Sequence, residues 1–491
     1  MSGTGAAGGA VSTKAGELSG MSAVDLVAGY RDGSLSPVEV VQDGLALIED
    51  ADSTLHAMER LYPDRALAAA RASEQRYRNG APISPVDGVP ATIKENQQVI
   101  GDPNQWGSAA VDPVAAQQNS PLVDKLLAAG VPILGRTVMP ELGMLSSGLS
   151  TLHPMAVNAQ NAAWNPGGST AGGGAAATAG YAPFNFGSDI GGSVRLPASW
   201  NGCAGFKPTF GRIPVDPPYF GRHIGPLGRH IADLSLVMTS CTGPDYRDPY
   251  SLPAQDLPWT TAAPFDPKGA RIGLVLDVGD GAEVDPEVRA AVVAAAGIFE
   301  AAGAVVEEIG PYLEPGEINL IDLFWRIGHW NDYRKMDPER RKLMLPFISE
   351  WCRAGAGIDG PQAVHSADEQ LRMARRTIAV THPYDIILSP VSPGPTYPAE
   401  WPMPSNDVHD PMSHIGFCVV YNMSGQPAVS VNCGYTGDGR PIGLQVAAAR
   451  YQDVQALSAA SFYEANRPAD AQRPWPRIWE DAAGSSSTPT D

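Results

Sequence analysis

The sequence predicts an α/β protein in which helices cover a β-sheet. Over residues 22–137, segments whose apolar residues recur with the helical period alternate with short apolar runs typical of strands. Residues 269–308 contain a complete strand–helix–strand pattern. The chain has 491 residues and is 43% hydrophobic, which is enough to bury a large core. Length alone, at roughly 150 residues per domain, would also allow three domains.

The first elements along the chain are helical. Residues 22–51 predict two helices, and in the second helix Ser36 and Pro37 suit the N-cap and the first helical position. Further elements follow in order: a helix over residues 64–78, a strand in GVPATIK (88–94), a helix over 121–129 and a strand in VPILGRT (131–137). This alternation predicts the sheet and its helical cover.

The clearest local unit lies in residues 269–308. RIGLVLD predicts a strand, Asp285 and Pro286 begin a helix, and AGAVVEEI predicts a second strand. Such a unit can bind a nucleotide, but Gly279 and Gly281 lack the third glycine of the dinucleotide fingerprint. The pattern therefore disfavours a nucleotide site.

Residues 310–375 have a different character. Phe324, Trp325, Trp330 and Trp351 lie among charged residues with helical periodicity. One interpretation is a helical layer packed by aromatic side chains. The other is a helical cover over a pocket that has aromatic walls.

Composition excludes several function classes. The 34 Lys and Arg against 53 Asp and Glu give a net charge of −19, which disfavours unaided binding to nucleic acid or to an anionic membrane. No long apolar run and no N-terminal apolar segment predicts a membrane span or a signal peptide. Five cysteines without CxxC spacing, and histidines without ligand spacing, predict no disulfide framework, metal or cofactor. We expect a cytoplasmic protein with disordered tails at residues 1–15 and 482–491.

Two serines in glycine-rich segments and one lysine carry the chemical signal. Ser169 lies in WNPGGSTAGGG, and Ser193 lies in GSDIGGSVRLPAS, where residues 184–186 predict the end of a strand and Val194 the start of a helix. Glycines let successive N–H groups point at one spot and form an oxyanion hole, although a plain glycine-rich turn is the alternative. Lys94, at the end of an apolar strand, is either a surface residue or a buried, neutral proton acceptor.

These residues resemble the amidase signature hydrolases, which use a Ser–cis-Ser–Lys triad. The separations of 75 residues from Lys94 to Ser169 and 24 from Ser169 to Ser193 are typical of that family. Nearly the whole chain takes part, because blocks similar to the family's occur in the same order. These blocks are GVPATIKEN, GRTVMPELGM, GSDIGGSVRLPA, GFKPTFGRIP, GPLGRHIADL, YDIILSPVSPGP and NMSGQPAVSVNCGYTGDGRPIGLQ.

The resemblance implies a role for each member of the triad. Ser193 would be the nucleophile, Ser169 would follow a cis Gly168–Ser169 peptide and bridge the nucleophile to Lys94, and Lys94 would be the base. Asp189 would be a structural charge that holds the loop, together with Arg195. The N–H groups expected to hold the oxyanion are those of Ile190, Gly191, Gly192 and Ser193.

The resemblance also implies the architecture and the reaction. We expect a single domain over residues 16–481 with a mixed, twisted central sheet covered by helices on both faces, as a monomer or homodimer. The expected activity is hydrolysis of small amides through an acyl-enzyme, favouring aryl or apolar acylamides, with carbamates and esters as further substrates. The alternative is a glutaminase-type subunit that acts in an amidotransferase complex.

The sequence departs from the family pattern just before the first serine. Trp164 stands where arginine is common, Thr170 replaces a serine and Ala171 replaces a glycine. A large aromatic residue so near Ser169 suggests that Trp164 and residues 310–375 line the substrate pocket. The alternative is that Trp164 only packs against the protein.

Overall fold

The computed structural model describes residues 15–480, and within them eleven strands form one sheet. The strands are β1 (Met58–Leu61), β2 (Ala91–Lys94), β3 (Ile133–Thr137), β4 (Phe184–Asp189), β5 (Ala204–Lys207), β6 (His223–Gly228), β7 (Arg271–Val275), β8 (Val305–Ile309), β9 (Ile386–Pro390), β10 (Ala428–Tyr435) and β11 (Pro441–Ala448). Their spatial order is β1-β3-β2-β4-β6-β5-β10-β11-β9-β7-β8.

The sheet is mixed. β3, β2 and β4 are mutually parallel, as are β9, β7 and β8 at the other end. The central strands β4, β6, β5, β10, β11 and β9 pair antiparallel along the series. Helices flank this sheet, so the predicted α/β class is confirmed.

The described helices are α1 (Ala23–Asp32), α2 (Pro37–Leu55), α3 (Pro63–Arg78), α4 (Pro121–Ala128), α5 (Ala171–Ala179), α6 (Arg195–Asn201), α7 (Ile231–Cys241), α8 (Pro286–Ala301), α9 (Glu317–Tyr333), α10 (Pro338–Arg341), α11 (Pro346–Ala354), α12 (Gly360–Thr381), α13 (Gly416–Met423) and α14 (Asp453–Asn466). One apolar cluster joins the sheet to α1, α7, α8 and α14, and a second joins it to the α9–α13 region. None of these helices is long and apolar enough to cross a membrane.

Local sequence signals position many elements correctly. Ser36 caps α2 in a capping box with Glu39. The Ser36 hydroxyl accepts from the Val38 N–H at 3.0 Å, and the Glu39 carboxylate accepts from the Ser36 N–H at 3.3 Å. Asp285 caps α8 through the N–H groups of Glu287 and Val288, and β7 and β8 pair in parallel as the strand–helix–strand pattern predicts. Residues 310–375 are largely helical.

One boundary differs from expectation. Residues 184–186 begin β4 rather than end it, and the strand continues to Asp189 because it pairs with β6 from Asn185 to Asp189. Gly187 makes this extension possible, since a Cβ there would lie 2.2 Å from the Thr170 hydroxyl oxygen. The expected tails, residues 1–15 and 482–491, lie outside the described residues except for Ala15.

Candidate active site

The candidate residues converge near the carboxyl ends of the neighbouring strands β2 and β4. β2 and β4 are parallel neighbours, so their carboxyl ends lie side by side. Lys94 is the last residue of β2, and Ser188 is the penultimate residue of β4. Ser169 lies just before α5, and Ser193 lies between β4 and α6.

Lys94 is fully buried and surrounded by hydroxyl groups. Its Nζ lies 2.8 Å from Ser169 Oγ, 3.1 Å from Ser188 Oγ and 3.4 Å from Thr170 Oγ1. Burial lowers the pKa of Lys94 to about 7, and the charge of Asp189 only partly opposes this effect. The ammonium and the neutral amine are therefore both accessible near neutral pH.

Glu95 does not neutralise this lysine directly. The strand alternation directs it away from Lys94, and its carboxylate accepts hydrogen bonds from the Met139 N–H at 2.8 Å and the Gly107 N–H at 3.3 Å. His153 Nε2 lies 3.0 Å from the same carboxylate. Within residues 15–480, the side-chain hydrogen bonds of Lys94 thus go to hydroxyl groups.

Ser169 and Ser193 line the same cavity, but the structure joins only one of them to Lys94. The peptide bond between Gly168 and Ser169 is cis. Ser193 Oγ makes no hydrogen bond within residues 15–480, and its backbone carbonyl accepts from the Thr170 N–H at 3.2 Å. The Ser193 hydroxyl is therefore free to turn toward either Ser169 or a ligand.

Three of the four expected oxyanion donors have no partner within the described chain. The N–H groups of Ile190, Gly191 and Ser193 make no hydrogen bond there, and all three residues line the cavity. Gly192 differs, because its N–H donates to Asp189 Oδ1 at 2.9 Å. The structure therefore corrects the expected set: Gly192 is engaged by a carboxylate, and three N–H groups remain for a ligand oxygen.

Gly192 instead shapes the turn. Its φ of 111° lies in the region that favours glycine, and a Cβ would meet the Cys418 Cβ at 2.8 Å. Gly191 lies beneath Trp325, since a Cβ built on it would be 3.4 Å from Trp325 Cη2. The indole thus lies against Gly191, which carries one of the three free N–H groups.

A buried ion pair between Asp189 and Arg195 stabilises the turn that contains Gly192. Asp189 receives two hydrogen bonds from Arg195, at 3.0 and 2.8 Å, and one each from the Gly192 and Val194 N–H groups. Burial alone would raise the pKa of Asp189, but the charge and hydrogen bonds of Arg195 outweigh it and lower the pKa below its usual range. Asp189 and Arg195 are structural charges, as the sequence analysis expects.

Replacing Asp189 with asparagine is expected to destabilise the protein by about 3 kcal/mol, because it leaves the buried Arg195 charge without a counter-ion. Urea unfolding measures this change. The matched control is Glu307→Gln, which removes a half-exposed partner of Arg271 and should cost less than about 1 kcal/mol. Equal losses in the two variants would contradict the structural role of the buried pair.

The cavity beside these residues has a volume of about 670 Å³, which suits a small organic molecule. Its walls are mostly apolar and include side chains from the α9 region. Besides the serines and the free N–H groups, lining residues include Trp106, Met139, Leu142, Met144, Leu145, Tyr219, Arg222, Trp325, His329, Tyr333, Met336, Met412 and Ile415.

Trp164 is not among the described residues that line this cavity, so its expected place in the pocket is wrong. Its backbone pairs with Pro398, and its N–H donates to the Asn161 carbonyl in a tight turn. The end of its indole lies near Gly439, 3.9 Å from where a Cβ would be. The indole therefore lies beside Gly439, in the turn between β10 and β11, and the packing alternative describes it better.

The structure adds polar residues that the sequence analysis did not single out. Ser188 accepts hydrogen bonds from Lys94 and from Asn96 Nδ2, at 3.1 and 3.0 Å. Asn96 lies in the turn that follows β2, where the Gln97 N–H donates to the Lys94 carbonyl at 2.8 Å, so no strand pattern in the sequence could have indicated it. Arg222 also lines the cavity. Within residues 15–480 no cluster of three or more His, Cys, Asp or Glu side chains is placed to hold a metal ion.

The amidase family model matches residues 39–457. The chain belongs to the amidase signature family. It is 29% identical to an acylamidase of Rhodococcus erythropolis, over 92% of this chain and 97% of that protein. It is 30% identical to a glutamyl-tRNA(Gln) amidotransferase subunit of Chloroflexus aggregans, over 88% of this chain and 93% of the relative.

Solved structures agree with this assignment. A crystal structure of a bacterial aryl acylamidase of the amidase signature family superposes with a TM-score of 0.81 at 28% identity, covering 92% of this chain and 99% of that one. This amidase signature protein is therefore a hydrolase that acts on amides, and the similarity extends over almost the whole chain.

Proposed function

We propose that this amidase signature hydrolase cleaves the C–N bond of small aryl or apolar acylamides through an acyl-enzyme on Ser193. The observation that carries the proposal is the arrangement around Lys94. A buried lysine with a pKa of about 7 contacts Ser169, and Ser169 lines the same cavity as Ser193 and three N–H groups that have no partner within residues 15–480. A base poised near neutral pH, a nucleophile and an oxyanion site are the parts that acyl transfer requires.

In the first half of the reaction, Ser193 Oγ attacks the carbonyl carbon of the amide. Its proton passes to Ser169, whose own proton passes to neutral Lys94. The tetrahedral oxyanion accepts hydrogen bonds from the N–H groups of Ile190, Gly191 and Ser193. The open Ser193 hydroxyl is consistent with this step, since catalytic hydrogen bonds often tighten only when substrate is bound.

To complete the formation of the acyl-enzyme, the protonated Lys94 returns a proton through Ser169 to the leaving nitrogen. The C–N bond breaks, the amine departs and an ester of Ser193 remains. Water then attacks this ester and gives its proton to the same relay. The bond between the acyl carbon and Ser193 Oγ breaks, the relay returns the proton to Oγ, and the acid is released. Carbamates and esters present the same carbonyl to Ser193, so we propose them as further substrates.

Preference for aryl or apolar groups follows from the walls of the cavity. Trp325 lies over Gly191, and Met139, Leu145 and Ile415 supply aliphatic surface. An aromatic ring of the substrate that is buried against such walls is stabilised by hydrophobic burial and by ring contacts. A polar group in the same place would lack both contributions. The similarity to an acylamidase and to an aryl acylamidase supports this substrate class.

Replacing Trp325 with alanine is expected to reduce the preference for anilides over aliphatic amides at least about tenfold in kcat/KM, because the ring loses its aromatic wall. The measurement compares butyranilide with N-butylbutyramide in both proteins. Trp164→Ala is the matched control, since that indole lies outside the cavity, and it should keep the wild-type ratio. A ratio that falls in Trp164→Ala but not in Trp325→Ala would contradict the assigned pocket.

The second candidate function is that of a glutaminase within an amidotransferase complex, which the similarity to the Chloroflexus aggregans protein favours. It predicts ammonia release from glutamine and co-purification with companion subunits. The net charge of −19 disfavours direct contact with tRNA, so such partners would have to supply it. Hydrolysis of simple anilides by the isolated chain supports the first proposal, whereas activity toward glutamine only with partner subunits supports the second.

A further inference from the structure

Arg222 brings a positive charge into a cavity whose walls are otherwise mostly apolar. It directly precedes β6 and is only partly exposed. Its Cζ lies 5.5 Å from the ring centre of Trp106 and 5.0 Å from that of Tyr219. Two aromatic rings therefore hold the guanidinium in the cavity wall.

The donors of this guanidinium are mostly unused. Its hydrogen bond in the described part of the chain is from Nη1 to the Pro217 carbonyl, at 3.3 Å. No salt bridge joins Arg222 to an aspartate or glutamate within residues 15–480. Other buried arginines there do contact carboxylates: Arg136 with Glu59, Arg195 with Asp189, and Arg212 with Asp453. A guanidinium has five N–H donors, so Arg222 retains a fork suited to a planar acceptor.

The acidic residue of the cavity wall, Asp332, does not neutralise the charge of Arg222. Asp332 also lines the cavity, but its side chain is 70% exposed and its carboxylate lies 3.8 Å from Lys335 Nζ. Arg222 thus keeps an uncompensated charge in a partly desolvated position, which is costly unless a ligand supplies the counter-charge.

The backbone beside Arg222 is held in an unfavourable conformation. Trp106 and Leu142 have φ angles of 52° and 53°, which bulky residues rarely adopt. The two are joined, since the Leu142 N–H donates to the Trp106 carbonyl at 2.8 Å, and both line the cavity. Residues with such backbone angles are common at functional sites. Here the conformation of Trp106 accompanies the contact of its indole with the Arg222 guanidinium.

We infer that Arg222 binds a carboxylate of the substrate, so that the preferred substrates are acylamides that carry a carboxylate group. The planar fork of arginine matches the two oxygens of a carboxylate, and the low-dielectric wall strengthens their attraction. This inference rests on the proposed amide hydrolysis and names its substrate class. The aromatic and aliphatic walls would then hold the apolar part of the same molecule.

Arg222 also acts on the proposed base. Burial is the main cause of the lowered pKa of Lys94, Asp189 opposes it, and the charge of Arg222 lowers it further. Removing Arg222 should therefore move the acid limb of the pH–rate profile to higher pH for every substrate. This shift of the Lys94 pKa changes kcat/KM by the same factor for every substrate at a given pH. The ratio of kcat/KM between two substrates at one pH therefore does not depend on it.

The test compares substrates that differ only in charge. The acyl series pairs the mono-para-nitroanilides of succinic, glutaric and adipic acid with those of equally long acids that end in an isopropyl group. The amine series pairs para-acetamidobenzoate with para-isopropylacetanilide. In at least one pair the carboxylate should be favoured about tenfold or more in kcat/KM, and Arg222→Met should lower that ratio at least about tenfold.

Two further variants make the result specific. Arg222→Lys keeps the charge without the fork and should retain part of the preference. Arg289→Met removes an exposed arginine of α8, outside the cavity lining, and should keep the wild-type ratio. A wild-type ratio near one in every pair, or a ratio that Arg222→Met leaves unchanged, would overturn the inference.

Failure of the proposed hydrolysis would give a different pattern, with no turnover of any amide. In that case calorimetry with the glutaric mono-para-nitroanilide and its isopropyl counterpart still decides the inference. The wild-type protein should bind the carboxylate compound at least about tenfold more tightly, and Arg222→Met should lose this difference. Equal binding of the two compounds by the wild type would overturn the inference on its own.

Discussion

Ser193→Ala is expected to lower kcat/KM for amide hydrolysis by at least about 10⁴-fold, because it removes the oxygen that forms the acyl-enzyme. The residue lies in the cavity, and its hydroxyl makes no hydrogen bond within residues 15–480. The substitution should therefore leave the unfolding transition close to that of the wild type. Arylamine release from a short-chain acyl nitroanilide measures the loss.

The matched control for this variant is Ser53→Ala. Ser53 is an exposed serine of α2 and is not part of the cavity lining. It should retain wild-type activity. Hydrolysis by Ser193→Ala within about tenfold of the wild-type rate would contradict the assignment of the nucleophile.

Lys94→Met is expected to lower kcat/KM by at least about 10³-fold, because the apolar side chain fills the space but cannot accept the proton relayed by Ser169. Stopped assays of nitroanilide hydrolysis at pH 8 measure the effect, where the wild-type lysine is mostly neutral. Lys335→Met, at an exposed lysine, is the control for loss of a positive charge. Equal activity of Lys94→Met and Lys335→Met would contradict the relay.

The same lysine sets the expected pH dependence. Burial disfavours the ammonium and lowers the pKa of Lys94 to about 7, so the group is protonated below that pH and neutral above it. Only the neutral amine accepts a proton. Wild-type kcat/KM should therefore reach a plateau above about pH 7 and fall about tenfold for each pH unit below it. A rate that rises as the pH falls below 6 would exclude a lysine base.

Sequence reasoning predicted the parts of the site that depend on local signals and family-like spacing. Lys94 ends an apolar strand, Ser169 lies in a glycine-rich turn, and the structure places the two in hydrogen-bond contact. The capping signals at Ser36 and Asp285 predicted two helix starts for the same reason, since a cap is read from a few adjacent residues.

What sequence reasoning missed depends on contacts between distant segments. Nothing local to Gly192 shows whether its N–H points into the cavity or toward Asp189. The backbone of Trp164 pairs with Pro398 and its indole lies near Gly439, both far along the chain. Arg222 resembles any surface arginine in the sequence. Only the packed structure shows that it lines the cavity and contacts no carboxylate of residues 15–480.

The most direct test of the central claim is to trap the acyl-enzyme and locate it. The protein is mixed with a short-chain acyl para-nitrophenyl ester, quenched in acid within milliseconds, digested and analysed by tandem mass spectrometry. We predict that the acyl mass lies on Ser193 and is absent from Ser193→Ala. An acyl mass on Ser169 or Lys94, or steady turnover with no covalent adduct at any quench time, would contradict the mechanism.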